Sequence, residues 1–498
     1  MKEDDDSQVF PGTTQEDAHL EDFGYEQALS GVFIIGVSAG GPPVMVFSFI
    51  GVSVLSLAVV IPMAEMCSMY PVAGGQYSWV AALAPPKIAR GLSYVDGWFM
   101  LVGILAMGAT NNIIAAKFVL GMANLVFPEF IIQRWQTTLV AYGVAFMSAS
   151  LNILGPHVLH HVSRFMLVFN VCSFFIIMIA LLATNDQKKS AEFVFVEFRN
   201  FTGWGPAMAA IVGILQACFG MSSYDAPSHM TEEMKSASKE APKAMIMAVV
   251  LGATTGLAFL LTLCFCIGDI SKTANTSTGV PVIQIMYHST GSKVGTCFLA
   301  SMICVIGMVA GNNLVTEGSR SIYAFARDEG LPFSKFFSKV EKKRQVPVNA
   351  IVLTVAIQLA LDAINFGTTT GFQTVTSIAT EGFYVSYGIA LISRLLGYIT
   401  GHATVLKGPF SLPLPISLGL NVMGLLFLAF TSITFNFPTS SPVTPHSMNY
   451  TSAAIGIVAL ISLATWFTTG RKHFTGPGGL NAVAVNGPSE VREEEIKG

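Results

Sequence analysis

Four carboxylates interrupt long apolar runs: Glu65 in AEMCSMYPVAGGQYSW, Asp225 in CFGMSSYDAPSHMTEE, Glu317 in NNLVTEGSR and Glu381 in TSIATEGFYVSYG. A carboxylate in such a stretch either pairs with a cation or exchanges a proton, because an isolated charge in an apolar medium is too costly to keep. Asp225 is the best placed to do chemistry. Gly220, two serines and Pro227 break the helical pattern around it, and broken backbone at membrane depth is tolerated only where it is buried or lines a cavity. The free N–H and C=O groups and half-helix ends of such a break can hold a carboxylate or an ammonium. Glu65 lies where Pro71, Gly74 and Gly75 end a run. Local capping or pairing is its simpler role, coupling or gating the alternative. Glu317 stands three residues before Arg320, the spacing of a local ion pair. Glu381 has no cation within a helical turn, so it either takes part in proton coupling along a water-filled path or pairs with Lys117 of another span.

Other chemistries are weakly represented. His157, His160 and His161 spell HVLHH, whose spacing matches one histidine box of membrane di-iron enzymes, yet the other six histidines are singletons and no complete metal shell can be assembled. Seven cysteines without a CxxC pair indicate neither a disulfide framework nor a thiolate metal site. The G-x-x-x-x-G-K-[ST] loop of a nucleotide-driven pump is missing. No catalytic residues, metal or cofactor are therefore assigned.

The elements that must position these carboxylates follow from composition. Only 11% of the 498 residues are charged and 52% are apolar, where a soluble chain would carry about 25% charged residues. That deficit excludes an ordinary soluble enzyme, a nucleic-acid binder and a disordered scaffold. Runs long enough to cross a bilayer, about 20 residues each, lie near 42–64, 97–116, 136–156, 165–185, 205–224, 244–268, 294–316, 345–361, 372–394, 411–432 and 450–470. A twelfth piece at 28–39 is too short to cross alone. Residues 1–27 read as a disordered acidic tail, 28–470 as the transmembrane domain and 471–498 as a disordered cytoplasmic tail.

Lysine and arginine gather in one set of alternate loops, including Lys87, Arg90, Lys235, Lys239, Arg327, Lys343 and Arg344, and that set is expected to be cytoplasmic. Three N-x-[ST] patterns, at Asn200, Asn275 and Asn449, fall in the opposite loops and are glycosylation candidates. Eleven crossings with an internal C-terminus would put the acidic N-terminal tail outside. In the basic loops, Glu232 and Glu233 could pair with Arg320 or Arg327 when the inner side closes.

With these residues in place, the chain resembles the amino acid–polyamine–organocation permeases, in the fungal branch of amino acid, GABA and choline transporters. The matching stretches are AEMCSMYPVAGGQYSWVAALAP at 64–85, YDAPSHMTEEMKSASKEAPKAM at 224–245, SRSIYAFARDEGLPFSKFF at 319–337 and SIATEGFYVSYGIALISRL at 377–395. The resemblance implies an all-α polytopic fold of five plus five inverted-repeat helices with two further C-terminal helices, in which spans one and six are discontinuous and enclose the substrate. Carried over, Phe219 would be an aromatic gate, Gly220, Ser222, Ser223 and Tyr224 would contribute contacts, and Asp225 would sense protons or the substrate ammonium. The family often has glycine where Ser223 stands. It also has a stretch long enough for a whole span between the GYEQ landmark, here Gly24–Gln27, and Gly-Gly-Pro, here Gly40–Pro42; this chain has only Ala28–Ala39. A faulty gene model, a shortened and inactive relative and a rebuilt site are the three explanations.

The expected function is secondary active transport of a small amine-bearing solute, an amino acid or GABA or else choline, by alternating access in the plasma membrane or an endomembrane, with protons as the coupling ion. The alternative is a non-transporting, permease-like nutrient sensor or an inactive truncated isoform.

Overall fold

The computed structural model describes residues 25–154, 156–341, 343–367, 371–402, 408–444, 447–474 and 476–477, the side chains of 25–28, 156–163 and 233 excepted. Most of the two expected tails and the imidazoles of HVLHH lie outside the described residues. The chain is almost wholly helical: α1 Tyr25–Ser38, α2 Pro42–Met69, α3 Gln76–Leu83, α4 Pro86–Val126, α5 Arg134–Leu154, α6 Pro156–Thr184 and α7 Pro206–Gly220. The second half holds α8 Ala237–Phe265, α9 Pro281–Thr290, α10 Lys293–Arg327, α11 Val348–Asp362, α12 Gly371–Ile399, α13 Leu414–Thr434 and α14 Thr451–Thr465. The one paired strand segment among the described residues joins β1, Ala39–Gly40, antiparallel to β2, Arg199–Asn200.

Ten helices among the described residues are long and apolar enough to cross a membrane. In such a medium a helix is favoured because it satisfies every backbone group within its own segment. The eleventh expected span, near 205–224, is α7, which has only 15 residues because the helix stops at Gly220. The expected tail at 471–498 also starts later than the charge pattern suggests: Arg471–His473 are helical, and Phe474 is fully buried with its ring 5.3 Å from Tyr94 and 5.8 Å from Phe325.

Large apolar side chains stay exposed on the outer helices, among them Phe146, Phe165, Ile179, Leu426, Ile433, Leu460 and Phe467. An apolar exterior of this extent matches lipid and not water. The interior is different: α4, with 41 residues, is buried along most of its length and packs most extensively against α12. Their backbones nearly touch. A Cβ added to Gly382 would lie 2.6 Å from the Gly103 nitrogen, and one on Gly103 would lie 2.7 Å from the Phe383 nitrogen. Small residues at such crossings let dispersion and weak polar contacts accumulate where no hydrophobic force separates helix from lipid.

α1 runs antiparallel to α7. Its start meets the end of α7, where Leu29 packs on Gly220, and its end meets the segment that precedes α7 through the β1–β2 pair and Gly213 beside Ala39. The short first element is thus a half-length helix that reaches the level of the α7 break.

The Gly103–Gly382 contact gives a direct test. Gly382→Val should sharply lower the monodisperse fraction in fluorescence-detected size exclusion, whereas Gly388→Ala on the same helix, with nothing within 4 Å of the added Cβ, should leave it unchanged.

Candidate functional site

Residues 221–225 leave the helix after α7, and a 3-10 segment, Ala226–Glu233, follows. The last carbonyls of α7 need donors here. The Cys218 carbonyl accepts from the Ser222 hydroxyl at 2.6 Å and from the Tyr384 hydroxyl at 3.5 Å. Ser223 adopts φ 65°, the left-handed region in which glycine carries no penalty and another residue costs about 1 kcal/mol or more. Phe219 is buried in the final turn of α7 and Tyr224 is buried at the break. The Tyr224 ring lies 5.1 Å from Tyr387, which also neighbours Phe383 and Tyr384 at 5.8 and 6.3 Å.

Asp225 is fully buried. Its Oδ1 accepts from the Tyr387 hydroxyl of α12 and its Oδ2 from the Gln76 amide of α3. One turn further on, His229 Nε2 faces Oδ2 at 3.2 Å while its Nδ1 faces the Ala73 carbonyl at 3.2 Å. A carbonyl only accepts, so Nδ1 carries a proton; the Nε2 to carboxyl contact then requires one more proton, on the imidazole or on the acid. Asp225 and His229 form one buried acid–imidazole pair. Glu317 of α10 joins them: one ligating atom from each of the three residues lies within 4.8 Å of the others. Asp96 of α4, also fully buried, lies beside Ser386 and close enough to Asp225 for their charges to interact.

The glycine pair in PVAGGQ explains how His229 fits. Gly75 has φ 59°, and a Cβ there would lie 2.5 Å from His229 Cε1. The turn that carries Gln76 to Asp225 thus also opens the space that the imidazole fills.

Towards the lysine-rich end of the bundle, Arg327 of α10 grips Glu232 with two hydrogen bonds, at 3.1 and 2.8 Å. Beside it the Tyr77 hydroxyl donates to Asp328 Oδ2 at 2.8 Å. Burial, and then the Asp328 carboxylate, push the Tyr77 phenol well above its ordinary range, so it stays a donor.

The other singled-out residues stand apart from the break. Glu65 is buried in a network at the inner end of α2: Arg394 of α12 donates to its Oε2 at 3.0 Å, the Leu412 N–H to its Oε1 at 2.7 Å, and the Ser417 hydroxyl lies between them. Glu381 accepts from the Asn436 amide at 3.3 and 3.1 Å, while Lys117 sits over the Phe372 ring at 3.5 Å. Of the three asparagines, Asn275 is exposed. Asn200 folds onto Thr202 and Trp204, and Asn449 is buried with its amide on the Phe435 and Phe437 carbonyls.

Sequence reasoning passed over His229, Gln76, Tyr387 and Asp96. The i, i+4 spacing of Asp225 and His229 was a local signal that was available; the partners on α3, α4 and α12 left none.

The sequence profile of the amino acid permease family matches residues 26–460, nearly the whole chain. The chain belongs to the amino acid permease family. It is 58% identical over 428 residues, 86% of this chain and 94% of the relative, to a protein of Macrophomina phaseolina whose name assigns it to amino acid/polyamine transporters. It is 31% identical to the choline transporter of Saccharomyces cerevisiae, over 90% of this chain and 78% of that one. It is 29% identical to the amino-acid permease BAT1 of Arabidopsis thaliana, over 89% of this chain and 88% of that one. The permease is thus a multi-pass membrane transporter and not an enzyme.

Within the permease, the Glu65–Arg394 pair should behave as structure. Arg394→Met strands a buried carboxylate, at a cost of about 3–5 kcal/mol, and should lower the unfolding temperature in detergent; adding Glu65→Gln to it should recover part of the loss.

Proposed function

We propose that the permease moves a small amine-bearing solute, an amino acid or GABA in the first place and choline in the second, together with a proton moving down its gradient. The observation that carries this reading is the helix break at 221–225 beside a buried carboxylate, Asp225, whose basic neighbour among the described residues is the titratable His229. Buried acid at that level favours a cationic group, and the C-terminal end of α7 adds its negative dipole end to the same place. α1 brings its N-terminal half to the same level from the opposite direction, which supports a counter-site for a carboxylate and so favours a zwitterion over choline. The names of the relatives, amino acid, polyamine and choline transporters, agree with an amine-bearing solute.

Coupling follows from placing both cations beside one buried pair. A proton on the Asp225–His229 pair changes the charge that the solute ammonium meets there, so binding of one alters the hold on the other, and reciprocity makes that effect equal in both directions. The Arg327–Glu232 clasp and the Tyr77–Asp328 bond below the break act as the inner gate, closed in this structure. Alternating access requires them to part.

Cells expressing the permease should accumulate a labelled amino acid or GABA and lose that accumulation with a protonophore; no accumulation of any amino acid, GABA, choline or polyamine contradicts the reading. Asp225→Asn should reduce uptake and flatten its pH dependence far more than Glu65→Gln. For the gate, Glu232→Arg should speed labelling of Cys218, buried in the last turn of α7 beside the break, by a thiol reagent added on the inner side, and the exchange Glu232→Arg with Arg327→Glu should restore the wild-type rate.

A further inference from the structure

A second buried carboxylate lies away from the break. Asp362 ends α11, at the end of that helix remote from the basic loop around 339–344, and is fully buried where α4, α5, α10 and α11 meet. Its Oδ2 accepts from the Asn112 amide of α4 at 3.4 Å, and the same amide reaches Gln358 Oε1 at 3.3 Å. Four polar atoms here have no hydrogen-bond partner: Asp362 Oδ1 and Asn112 Oδ1, which accept, Gln358 Nε2, which donates, and Ser148 Oγ, which can do either. No ion pair reaches Asp362 among the described residues. Lys117 of α4 is occupied over Phe372, Arg134 at the start of α5 is exposed and offers this region only its backbone carbonyl, to Asn365, and Glu317 of α10 belongs to the Asp225 cluster. Tyr142 of α5 is the titratable neighbour whose charge Asp362 affects.

We propose that Asp362 is a second proton-binding carboxyl of the permease, separate from the Asp225–His229 pair, and that it takes up the coupling proton from the side opposite the Arg327–Glu232 clasp. The geometry favours a proton over a metal cation. A carboxyl and an amide placed end to end form two hydrogen bonds when the carboxyl carries a proton and one when it does not, so a proton on Asp362 turns its unpartnered oxygen from an orphaned acceptor into a donor. Turning the Asn112 amide over moves its acceptor from one carboxyl oxygen to the other and leaves the same need. A hard metal cation would want about six oxygens at short distance, and the amides of Asn112 and Gln358 with one carboxylate do not provide them. An ionised carboxylate with no cationic partner is costly at this depth, and an intramembrane acid of this kind marks an ion or proton path by default.

Polar residues continue from Asp362 towards the solute site. Asn112 follows Asn111, which donates to the Gly307 carbonyl of α10 at 2.8 Å. Gly311, the next turn of α10, lies against Asn111, Asn112 and Ser148. Asn152 of α5 donates to Asn312 Oδ1 at 3.0 Å and accepts from Thr316 at 2.7 Å, and the next residue of α10 is Glu317. Buried amides and hydroxyls thus link the two carboxyl sites through the scaffold helices α4, α5 and α10.

The role in coupling rests on the proton-coupled reading above, while the protonation of Asp362 does not, so two measurements separate them. Infrared spectra of the purified permease at neutral pH should show a protonated carboxylic acid C=O band that is absent from Asp362→Asn. In proteoliposomes, an inward proton gradient should accelerate wild-type uptake, and Asp362→Asn should lose that acceleration by about tenfold while solute counterflow at equal pH stays within about twofold. An identical carboxylic band in Asp362→Asn overturns the proposal whatever the transport result, and a retained gradient response in that variant overturns its role in coupling. A wild type with the band but no gradient response would sink proton coupling and still support Asp362 as a proton carrier. If Asp362→Asn does not accumulate in membranes, Asn112→Leu, which keeps the acid and removes its amide partner, should shift the frequency of the same band; an unshifted band overturns the pairing.

Discussion

Interrupting a helix inside an apolar medium leaves backbone groups that no solvent can satisfy, and the region around 221–225 is organised by that need. Each freed group costs several kcal/mol unless a partner is supplied. The partners come from distant parts of the chain: Tyr384 covers the last carbonyls of α7 with help from Ser222, and Gln76, Tyr387 and His229 converge on Asp225. These donors fix where α3 and α12 must sit, and α12 in turn packs on α4 through the close contact of Gly382 with Gly103. The site and the packing are one arrangement.

Buried charge is handled differently in different parts of the bundle. Glu65 is met by an arginine and two further donors, so its place is fixed. Asp225 is met by hydroxyl, amide and imidazole groups, and Asp362 by the single amide of Asn112. A carboxyl without an arginine or lysine partner keeps the freedom to exchange a proton or accept an ammonium. On that physical ground Asp225 belongs to the moving chemistry and Glu65 to the frame.

Much of the architecture was legible because apolar length is a local property. Each of the ten crossing helices overlaps an uncharged run in the sequence. The break was legible as well, since Gly220, Ser222, Ser223 and Pro227 carry their own signal, and Ser223 takes up the left-handed backbone for which the family often uses glycine. Three things were not. His229 looked like a singleton because its value comes from Asp225 one turn away and from Gly75, more than 150 residues away. Asp362 fell one residue beyond the run at 345–361, so nothing in the sequence marked it as the buried end of α11. Glu317, read against Arg320 on its own helix, also reaches the Asp225 cluster from across the bundle. Contacts between residues 149 to 162 positions apart, such as those of Gln76 and Tyr387 with Asp225, leave no trace in local spacing.

The claim on which the account turns is that Asp225, with His229, binds the coupling proton beside the solute ammonium. The most direct test is the proton released or taken up when an amine-bearing solute binds the purified permease in weakly buffered solution, followed with a pH indicator. The account predicts a saturable, solute-dependent proton exchange in the wild type that disappears in Asp225→Asn and persists in Glu65→Gln. Proton exchange of equal size in the Asp225→Asn variant would contradict it.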